Sequence, residues 1–200
     1  MSIKFDTNAE YILENESVLL RPLRTDDIEH LLPFAINEPD TWKYSHGNGA
    51  GKDGMTSYIH NALAAKNEGR EYPFIVFDKK TGTYAGSTRF YDLQLLNQCV
   101  QLGHTWYGKK FRGTGLNKHC KFLLLQFAFE DLDMERVEFR ADARNQRSIA
   151  AMKSIGCTVE GIIRSHIPLR DGTRRDSIIL SILKSEWYNT VKGLLISKLK

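Results

Sequence analysis

The chain has 200 residues, of which 42% are hydrophobic, and its 28 basic and 24 acidic side chains give a formal net charge of +4. This length and composition suit a single globular domain over residues 1–200, with a core that needs no metal or disulfide support. The mild, dispersed charge leaves no block of like sign that could serve as a nucleic-acid-binding tail, and no apolar run approaches the ~20 residues of a membrane span.

The amino terminus and the cysteines both favour a cytoplasmic location. Residues 1–6 lack the basic stretch and the apolar core of a secretory signal. Cys99, Cys120 and Cys157 are odd in number and widely scattered, and they have no metal-ligand spacing. We therefore expect reduced thiols, no metal and a protein that stays in the cytoplasm.

The first half of the chain predicts two helices and then a run of strands. Residues 17–21 are β-rich, and Thr25 is predicted to cap a helix that extends to about Ile36. An irregular stretch with four glycines, residues 39–54, is predicted to be a loop, and residues 55–67 a second helix. Three strands follow, the first two joined by a glycine turn as a hairpin, at residues 72–77, 84–90 and 100–107.

A basic turn with two glycines separates the third of these strands from a long helix. Gly113 and Gly115 leave their amide N–H groups uncrowded, and a helix that begins just afterwards adds unpaired donors and the positive end of its dipole. This arrangement predicts an anion cradle for a phosphate or pyrophosphate. An ordinary strand-to-helix turn remains the alternative, because neither a mononucleotide loop nor a Rossmann fingerprint is matched. Five basic residues cluster around the turn and are predicted to serve the anion: Lys109, Lys110, Arg112, Lys118 and Lys121.

The second half of the chain continues the alternation of helices and strands. Apolar residues recur at helical spacing and should pack on a sheet at Leu116, Cys120, Leu123, Leu124, Phe127 and Ala128. Helices are also predicted at residues 148–155 and 187–199. Strands are predicted at residues 136–141, 159–167 and 176–183, the last two around an Asp171-Gly172 turn. These elements predict a mixed sheet of the α/β or α+β kind.

Several motifs in one order carry a family resemblance. Residues 112–117 read Arg-Gly-Thr-Gly-Leu-Asn, with Asn117 where Gly or Ala is usual, and resemble the Arg/Gln-x-x-Gly-x-Gly/Ala signature of the GNAT superfamily of acetyl-CoA-dependent N-acetyltransferases. Residues 145–164 are similar to the Asn-x-x-Ser, Lys-x-Gly-Phe and Glu-Gly-x-x-Arg run of its RimJ/RimL-type branch, which includes ribosomal-protein N-terminal acetyltransferases; Cys157 replaces the usual Phe. The similarity extends from Val18 to about Trp187.

The resemblance implies a fold and a reaction. The fold is a GNAT fold, with a central, mostly antiparallel sheet, helices on both faces, and acetyl-CoA bound where two strands splay apart. The reaction is direct acetyl transfer from acetyl-CoA to a primary amine, such as the N-terminal α-amine of a ribosomal or other protein. A small-molecule amine acetyltransferase and a non-catalytic CoA sensor are the alternatives, and a homodimer is left open. Nucleic acid is not expected, because aromatic stacking residues do not interleave with the basic residues of the turn in an evident RNA-binding motif.

The resemblance also implies which residues bind acetyl-CoA. The main chain at Thr105, Trp106 and Tyr107 is expected to bind the pantetheine arm. The pyrophosphate is expected at a larger set, which comprises Lys109, Arg112, Gly113, Thr114, Gly115, Leu116 and Asn117. Asn145 is expected to contact the cofactor arm, and Ser148 to lie near the thioester sulfur and protonate the departing thiolate. From the residues alone, capping of a helix is the alternative for both.

The general base is predicted less sharply. Glu138 lies on a strand and is flanked by apolar residues that alternation turns to the opposite face, and His104 titrates in the useful range. Glu138 could instead pair with Arg140 or another neighbour, and His104 could be a packed strand residue. Gln101 stands where the branch commonly has a glutamate. The acceptor wall is predicted in the irregular segments, with the candidates Trp42, Tyr44, His46, His166 and Arg170.

Overall fold

One eight-stranded sheet organises the chain. A computed structural model describes it for residues 5–44, 47–169 and 172–199. In chain order the strands are β1 (Leu13–Glu14), β2 (Val18–Pro22), β3 (Glu71–Asp78), β4 (Thr83–Gln94), β5 (Cys99–Tyr107), β6 (Arg136–Asp142), β7 (Thr158–Pro168) and β8 (Arg174–Leu183). Their order across the sheet is β1-β2-β3-β4-β5-β6-β8-β7, and β5 with β6 is its parallel pair. The prediction of a mixed, mostly antiparallel sheet is confirmed.

Helices cover both faces of the sheet. They are α1 (Asp27–Asn37), α2 (Gly51–Asn67), α3 (Leu116–Gln126), α4 (Gln146–Ser154), α5 (Lys184–Glu186) and α6 (Lys192–Ile196). A wider turn, Phe127–Asp131, extends α3, and another, Trp187–Val191, joins α5 to α6. No helix within the described ranges has the length and apolar character needed to cross a membrane.

Two helix starts differ from the predicted ones. The first helix begins at Asp27 rather than after a Thr25 cap, because the Asp27 carboxylate is fully buried and accepts hydrogen bonds at 2.8 and 2.6 Å from the Arg21 guanidinium and at 2.8 Å from Arg24 N–H. The predicted loop at residues 39–54 is shorter than expected, since α2 already begins at Gly51.

The core divides between the two faces. On the face that α3 covers, here called the α3 face, Val100 and Leu102 of β5 and Phe139 of β6 are buried in one cluster with the apolar side of the helix. All six residues predicted to form that apolar side are buried. On the opposite face, here called the α1–α2 face, Trp106 is buried in a second cluster with apolar residues of α1 and α2. Alternate residues of β5 therefore serve two separate cores.

The parallel pair β5–β6 is short, and this shapes the centre of the molecule. Cys99–Gln101 pairs with Arg136–Glu138, and no further pairs connect the two strands. Beyond these three pairs β5 stays with β4, and β6 stays with β8. The remaining part of each strand therefore diverges from the other. We call the opening between them, beyond Gln101 and Glu138, the splay.

A β-bulge lies on β5 at the splay. Ser87 of β4 pairs with Trp106 while Arg89 pairs with Gly103, so β5 has one extra residue between them. His104 in this segment has a φ of 48°, the left-handed conformation that a non-glycine residue adopts where a bulge demands it. Bulges locally interrupt the ladder and free main-chain groups beside a site.

Candidate functional site

The glycine turn has the backbone geometry of an anion site. Gly113 and Gly115 have φ angles of 78° and 94°, in the region that favours glycine. Within the described residues, the N–H groups of Gly113, Thr114 and Gly115 have no hydrogen-bond acceptor. Three consecutive unpaired donors at the start of α3 form a cradle in which an anion can be held. We call residues 113–115 the cradle.

The Arg112 side chain in this turn is within electrostatic influence of a second arginine, Arg147. Burial first, and then the positive charge of Arg147, lowers the pKa of Arg112 below its ordinary value. Arg147 is exposed on the first turn of α4, 35 positions after Arg112 in the sequence. It occupies an unspecified position of the Asn-x-x-Ser motif, so the motif gave no reason to single it out. Two guanidinium groups near an anion cradle suit a ligand with several negative charges.

The Arg112 side chain is largely engaged by the protein. Its Nε donates to Tyr107 O at 2.9 Å, and its Nη2 donates to Thr41 Oγ1 at 2.8 Å. Arg112 therefore ties the end of β5 to the segment after α1. Lys109 has an exposed side chain, and its own N–H donates to Glu38 Oε2 at 2.8 Å.

The rest of the predicted pyrophosphate set surrounds the cradle. Thr114 Oγ1 donates to Phe111 O at 2.8 Å and so fixes the turn. Leu116 is buried in the α3-face cluster, and Asn117 is half-buried on the first turn of the helix. The structure thus brings these residues to one end of the splay.

The three predicted pantetheine residues on β5 differ in where their side chains lie. Trp106 is buried on the α1–α2 face, where its Nε1 donates to Tyr58 Oη at 3.2 Å. Tyr107 is buried on the α3 face, and burial raises the pKa of its hydroxyl well above the ordinary value. Thr105 precedes both of them and lies in the bulge, with its Oγ1 2.7 Å from Thr88 Oγ1. Their main chain is the part that can face the splay.

Lys121 does not belong to the surface cluster in which the sequence placed it. It is buried on α3, and its Nζ donates to Thr105 Oγ1 at 2.9 Å. Burial lowers the pKa of Lys121 to about 8. The burial of Lys121 was not predicted, because it was grouped by charge with the other basic residues of the turn and its position on the buried side of α3 was not weighed.

Asn145 and Ser148 adopt the capping arrangement. Asn145 Oδ1 accepts a hydrogen bond from Ser148 N–H at 3.1 Å, which makes Asn145 the side-chain N-cap of α4. The capping alternative is confirmed for Asn145. The amide Nδ2 of Asn145 and the Ser148 hydroxyl take no part in the cap and remain available to a ligand.

Glu138 is an ion-paired residue on the α1–α2 face. Its Oε2 accepts from Arg136 Nη2 at 2.9 Å, and its Oε1 accepts from Arg140 Nε at 2.6 Å. The pairing with neighbours that the sequence allowed as an alternative is therefore confirmed. Both carboxylate oxygens are engaged, so proton acceptance by Glu138 requires the loss of a charge-assisted hydrogen bond.

Gln101 lies opposite Glu138 at the closed end of the splay. Gln101 Nε2 donates to Asp92 Oδ2 at 2.6 Å, whereas Gln101 Oε1 is buried without a hydrogen-bond partner among the described residues. A cavity of about 100 Å³ lies beside these groups and is lined by Asp92, Gln101, Arg136, Glu138 and their neighbours. The carboxylate of Asp92 thus stands next to the amide that replaces the family's usual glutamate.

His104 is exposed and is not a packed strand residue. Its ring meets the edge of the Tyr91 ring with centroids 4.9 Å apart, and its carbonyl oxygen accepts a hydrogen bond from Tyr58 Oη at 3.4 Å. The bulge is the cause, because the left-handed backbone turns the side chain out of the regular alternation. An exposed imidazole at the splay retains access to solvent protons.

The predicted acceptor residues have diverse settings. Trp42 is buried against Tyr58, with ring centroids 5.3 Å apart. Tyr44 lies beside Lys43, whose ammonium is 5.6 Å from its ring centre. His166 Nδ1 lies 3.0 Å from Ser177 Oγ, and burial, followed by the charges of three arginines, lowers its pKa. His46 and Arg170 lie outside the described residues.

Comparisons with known proteins agree with this geometry. A family model described as an acetyltransferase (GNAT) domain matches residues 17–158. The chain is 31% identical over 179 residues to a Bacillus subtilis protein named "Putative ribosomal N-acetyltransferase YdaF", which covers 86% of this chain and 94% of that protein.

Solved structures share the fold. A GCN5-related N-acetyltransferase from Brucella melitensis has a TM-score of 0.88 at 23% identity and covers 96% of this chain and 86% of its own. Mycobacterium smegmatis RimJ, solved in complex with CoA-disulfide, has a TM-score of 0.77 at 19% identity and covers 94% of this chain and 93% of its own.

Proposed function

The chain belongs to the GNAT family of N-acetyltransferases, which use acetyl-CoA, and on this premise we propose that it acetylates the N-terminal α-amine of a protein. The observation that carries the proposal is the set of three unpaired N–H donors in the cradle, at the open end of the splay. Donors of this kind bind phosphate without side-chain charge. The adjacent guanidinium groups of Arg112 and Arg147 add the charge that a diphosphate requires.

In this proposal the cradle holds the diphosphate, and the pantetheine arm runs through the splay along the main chain of residues 105–107. The bulge supports this assignment, because it interrupts the β4–β5 ladder where the arm needs donors and acceptors. Asn145 Oδ1 accepts the capping hydrogen bond from Ser148 N–H. Its Nδ2 is therefore the group that donates a hydrogen bond to the pantetheine arm. Ser148, on the same turn, donates from its hydroxyl to the sulfur.

Transfer without a covalent enzyme intermediate is supported by the state of the thiols. Burial raises the pKa of Cys120 and of Cys157 to about 12, and burial also raises the pKa of Cys99. A cysteine nucleophile must be a thiolate, and these groups are protonated near neutral pH. The acceptor amine therefore attacks the acetyl carbonyl directly.

The acceptor amine must lose a proton during the reaction. We assign this step to His104 or to water beside it, because its side chain is exposed at the splay and imidazole is a common general base in enzymes. Glu138 is the second candidate, and its two arginine partners weaken the assignment. The acceptor is drawn from the relative that is 31% identical and named a ribosomal N-acetyltransferase. Residues 1–200 act in this proposal as one cytoplasmic domain, and the homodimer stays a prediction.

The experiment is a two-step assay on the purified chain. Calorimetry first measures the Kd for CoA, and mass spectrometry then follows acetyl transfer to peptides with free N-termini. Matched peptides with blocked N-termini, lysine-bearing peptides and small amines are the controls. We expect CoA binding and acetylation of the free α-amines. Transfer to small amines alone would replace the proposed acceptor, and CoA binding without any transfer would identify a sensor.

A further inference from the structure

A lysine side chain lies inside the splay, where a charge is costly. Lys121 is 5% exposed and is the buried lysine among the described residues. Its Nζ donates to Thr105 Oγ1 of β5 at 2.9 Å and lies 5.6 Å from the centre of the Phe139 ring of β6. One side chain therefore contacts both of the strands that have diverged.

The surroundings of Lys121 provide no counter-ion. The titratable groups that act on it are the thiols of Cys120, on its own helix, and of Cys157, from the segment before β7. Both thiols are protonated near neutral pH, because burial raises the pKa of each to about 12. No carboxylate of the described residues contributes to its electrostatics. A buried ammonium without an anion strongly favours any negative charge that enters the splay.

We propose that Lys121 neutralises the sulfur of CoA as the acetyl group leaves, an inference that rests on the acetyltransferase function proposed above. Attack by the amine forms the C–N bond, and the C–S bond breaks with its electron pair on sulfur. Lys121 stabilises this thiolate and donates a proton from Nζ, which gives the free thiol and a neutral lysine. The neutral lysine regains a proton from solvent after CoA departs, and the proton lost by the amine reaches solvent by way of His104 or water.

A lysine suits this step better than the nearby serine. The Ser148 hydroxyl can donate a hydrogen bond to the sulfur. It cannot transfer its proton completely, because the alkoxide left behind would be far more basic than the thiolate. Burial lowers the pKa of Lys121 to about 8, which is near the value of about 8.5 for a free cysteine thiol. Proton transfer between groups of similar pKa has little thermodynamic cost in either direction. Ser148 thus orients the sulfur while Lys121 supplies the charge.

The test titrates the thiol of bound CoA. The ultraviolet absorbance of the thiolate is followed against pH in the CoA complex, with the desulfo-CoA complex subtracted so that protein groups cancel. Wild type is compared with Lys121→Met, and Lys80→Met, an exposed lysine in the β3–β4 turn, is the matched control. We expect the bound thiol to be acidified in wild type and Lys80→Met, so that Lys121→Met lowers the thiolate fraction at pH 7 by about tenfold.

The outcomes separate this inference from the proposed function. If wild type binds CoA and the bound thiol titrates at the same pH in Lys121→Met, the inference is overturned and the acetyltransferase proposal stands. If calorimetry detects no CoA binding to wild type, the proposed function fails as well. Lys121→Arg keeps the charge but cannot release a proton, so we expect an acidified thiol with transfer at least about tenfold slower. Transfer by Lys121→Arg at the wild-type rate would overturn the proton donation.

Discussion

The buried ammonium of Lys121 is expected to destabilise the ligand-free protein, and its replacement by methionine measures the effect. Methionine has a similar length and no charge, so the α3 packing is retained. The pKa of Lys121 is lowered from 10.5 to about 8 in the folded chain. At about 1.4 kcal/mol for each pKa unit, the charged form costs the folded state about 3 kcal/mol at pH 7. Lys121→Met also loses the hydrogen bond to Thr105, which costs this variant about 1 kcal/mol. We therefore expect its free energy of unfolding at pH 7 to exceed that of wild type by about 2 kcal/mol.

The sign of the pH dependence follows from the lowered pKa. Between pH 8 and 10.5 the unfolded chain still binds the lysine proton that the folded chain has released. The free energy of unfolding of wild type therefore rises with pH relative to that of Lys121→Met, and most of the 3 kcal/mol is recovered by about pH 10. The Cys120 and Cys157 thiols, with folded-state pKa values raised to about 12, ionise within this window only in the unfolded chain, and because both proteins contain them this contribution cancels in the comparison.

Urea unfolding of both proteins without ligand, at intervals from pH 7 to pH 10, is the assay. Lys80→Met is the control, and its unfolding free energy should track that of wild type at every pH. A constant difference between wild type and Lys121→Met across this range would show that folding does not lower the pKa of Lys121. A Lys121→Met protein that is less stable than wild type at pH 7 would contradict the reasoning as well.

Three further changes probe the site. Gly86→Ala places a Cβ 2.1 Å from Trp106 O beside the bulge, so we expect a loss of about 1–3 kcal/mol in urea unfolding, whereas Gly161→Ala, which meets no atom within 4 Å, should lose far less. Arg147→Ala should weaken CoA binding about tenfold by calorimetry at low salt and much less at high salt; an equal loss at both would remove Arg147 from the diphosphate site. Asn145→Ala should cost about 1 kcal/mol of stability through the lost cap, while Asn145→Asp keeps the cap; equal stability of the two variants would exclude capping.

Local patterns in the sequence were sufficient for much of the fold. The apolar spacing from Leu116 to Ala128 predicts the buried side of α3, because helical periodicity is a property of neighbouring residues. The left-handed backbone at the glycines of the cradle could likewise be predicted, because it depends on the residue type and not on contacts with distant residues. Seven of the eight strands were predicted in the right order for the same reason, whereas the two-residue strand β1 was not predicted.

Contacts between distant residues were beyond these patterns. The predicted Thr25 cap rests on neighbouring residues, whereas the burial of Asp27 at the actual start of α1 depends on Arg21 of β2. The influence of the Arg147 charge on Arg112 likewise depends on how the fold places α4 relative to the glycine turn. Charge alone marks neither residue, since solvated and buried arginines look the same in a sequence.

Lys121 shows the same limit at a functional position. Its four-carbon stem lies on the buried side of α3, and its ammonium group donates a hydrogen bond to Thr105 of β5. A composition-based interpretation assigns lysine to the surface, where most lysines belong. Burial of this residue is a violation of local rules, and such violations concentrate where a protein has chemistry to perform.

The three residue pairs between β5 and β6 have a consequence for the cohesion of the molecule. Among the described residues, they and the hydrogen bonds that Gln98 O accepts from the N–H groups of Glu135 and Arg136 form the main-chain seam between a five-stranded half-sheet, β1–β5, and a three-stranded one, β6–β8. Past Gln101 no β5–β6 pair joins the described parts of the two strands, and the α3-face cluster, which takes residues from both half-sheets, holds them together there. In the proposed function a pantetheine arm that hydrogen-bonds to the β5 backbone adds main-chain bonds at this place, so we expect ligand binding to stiffen the centre of the sheet.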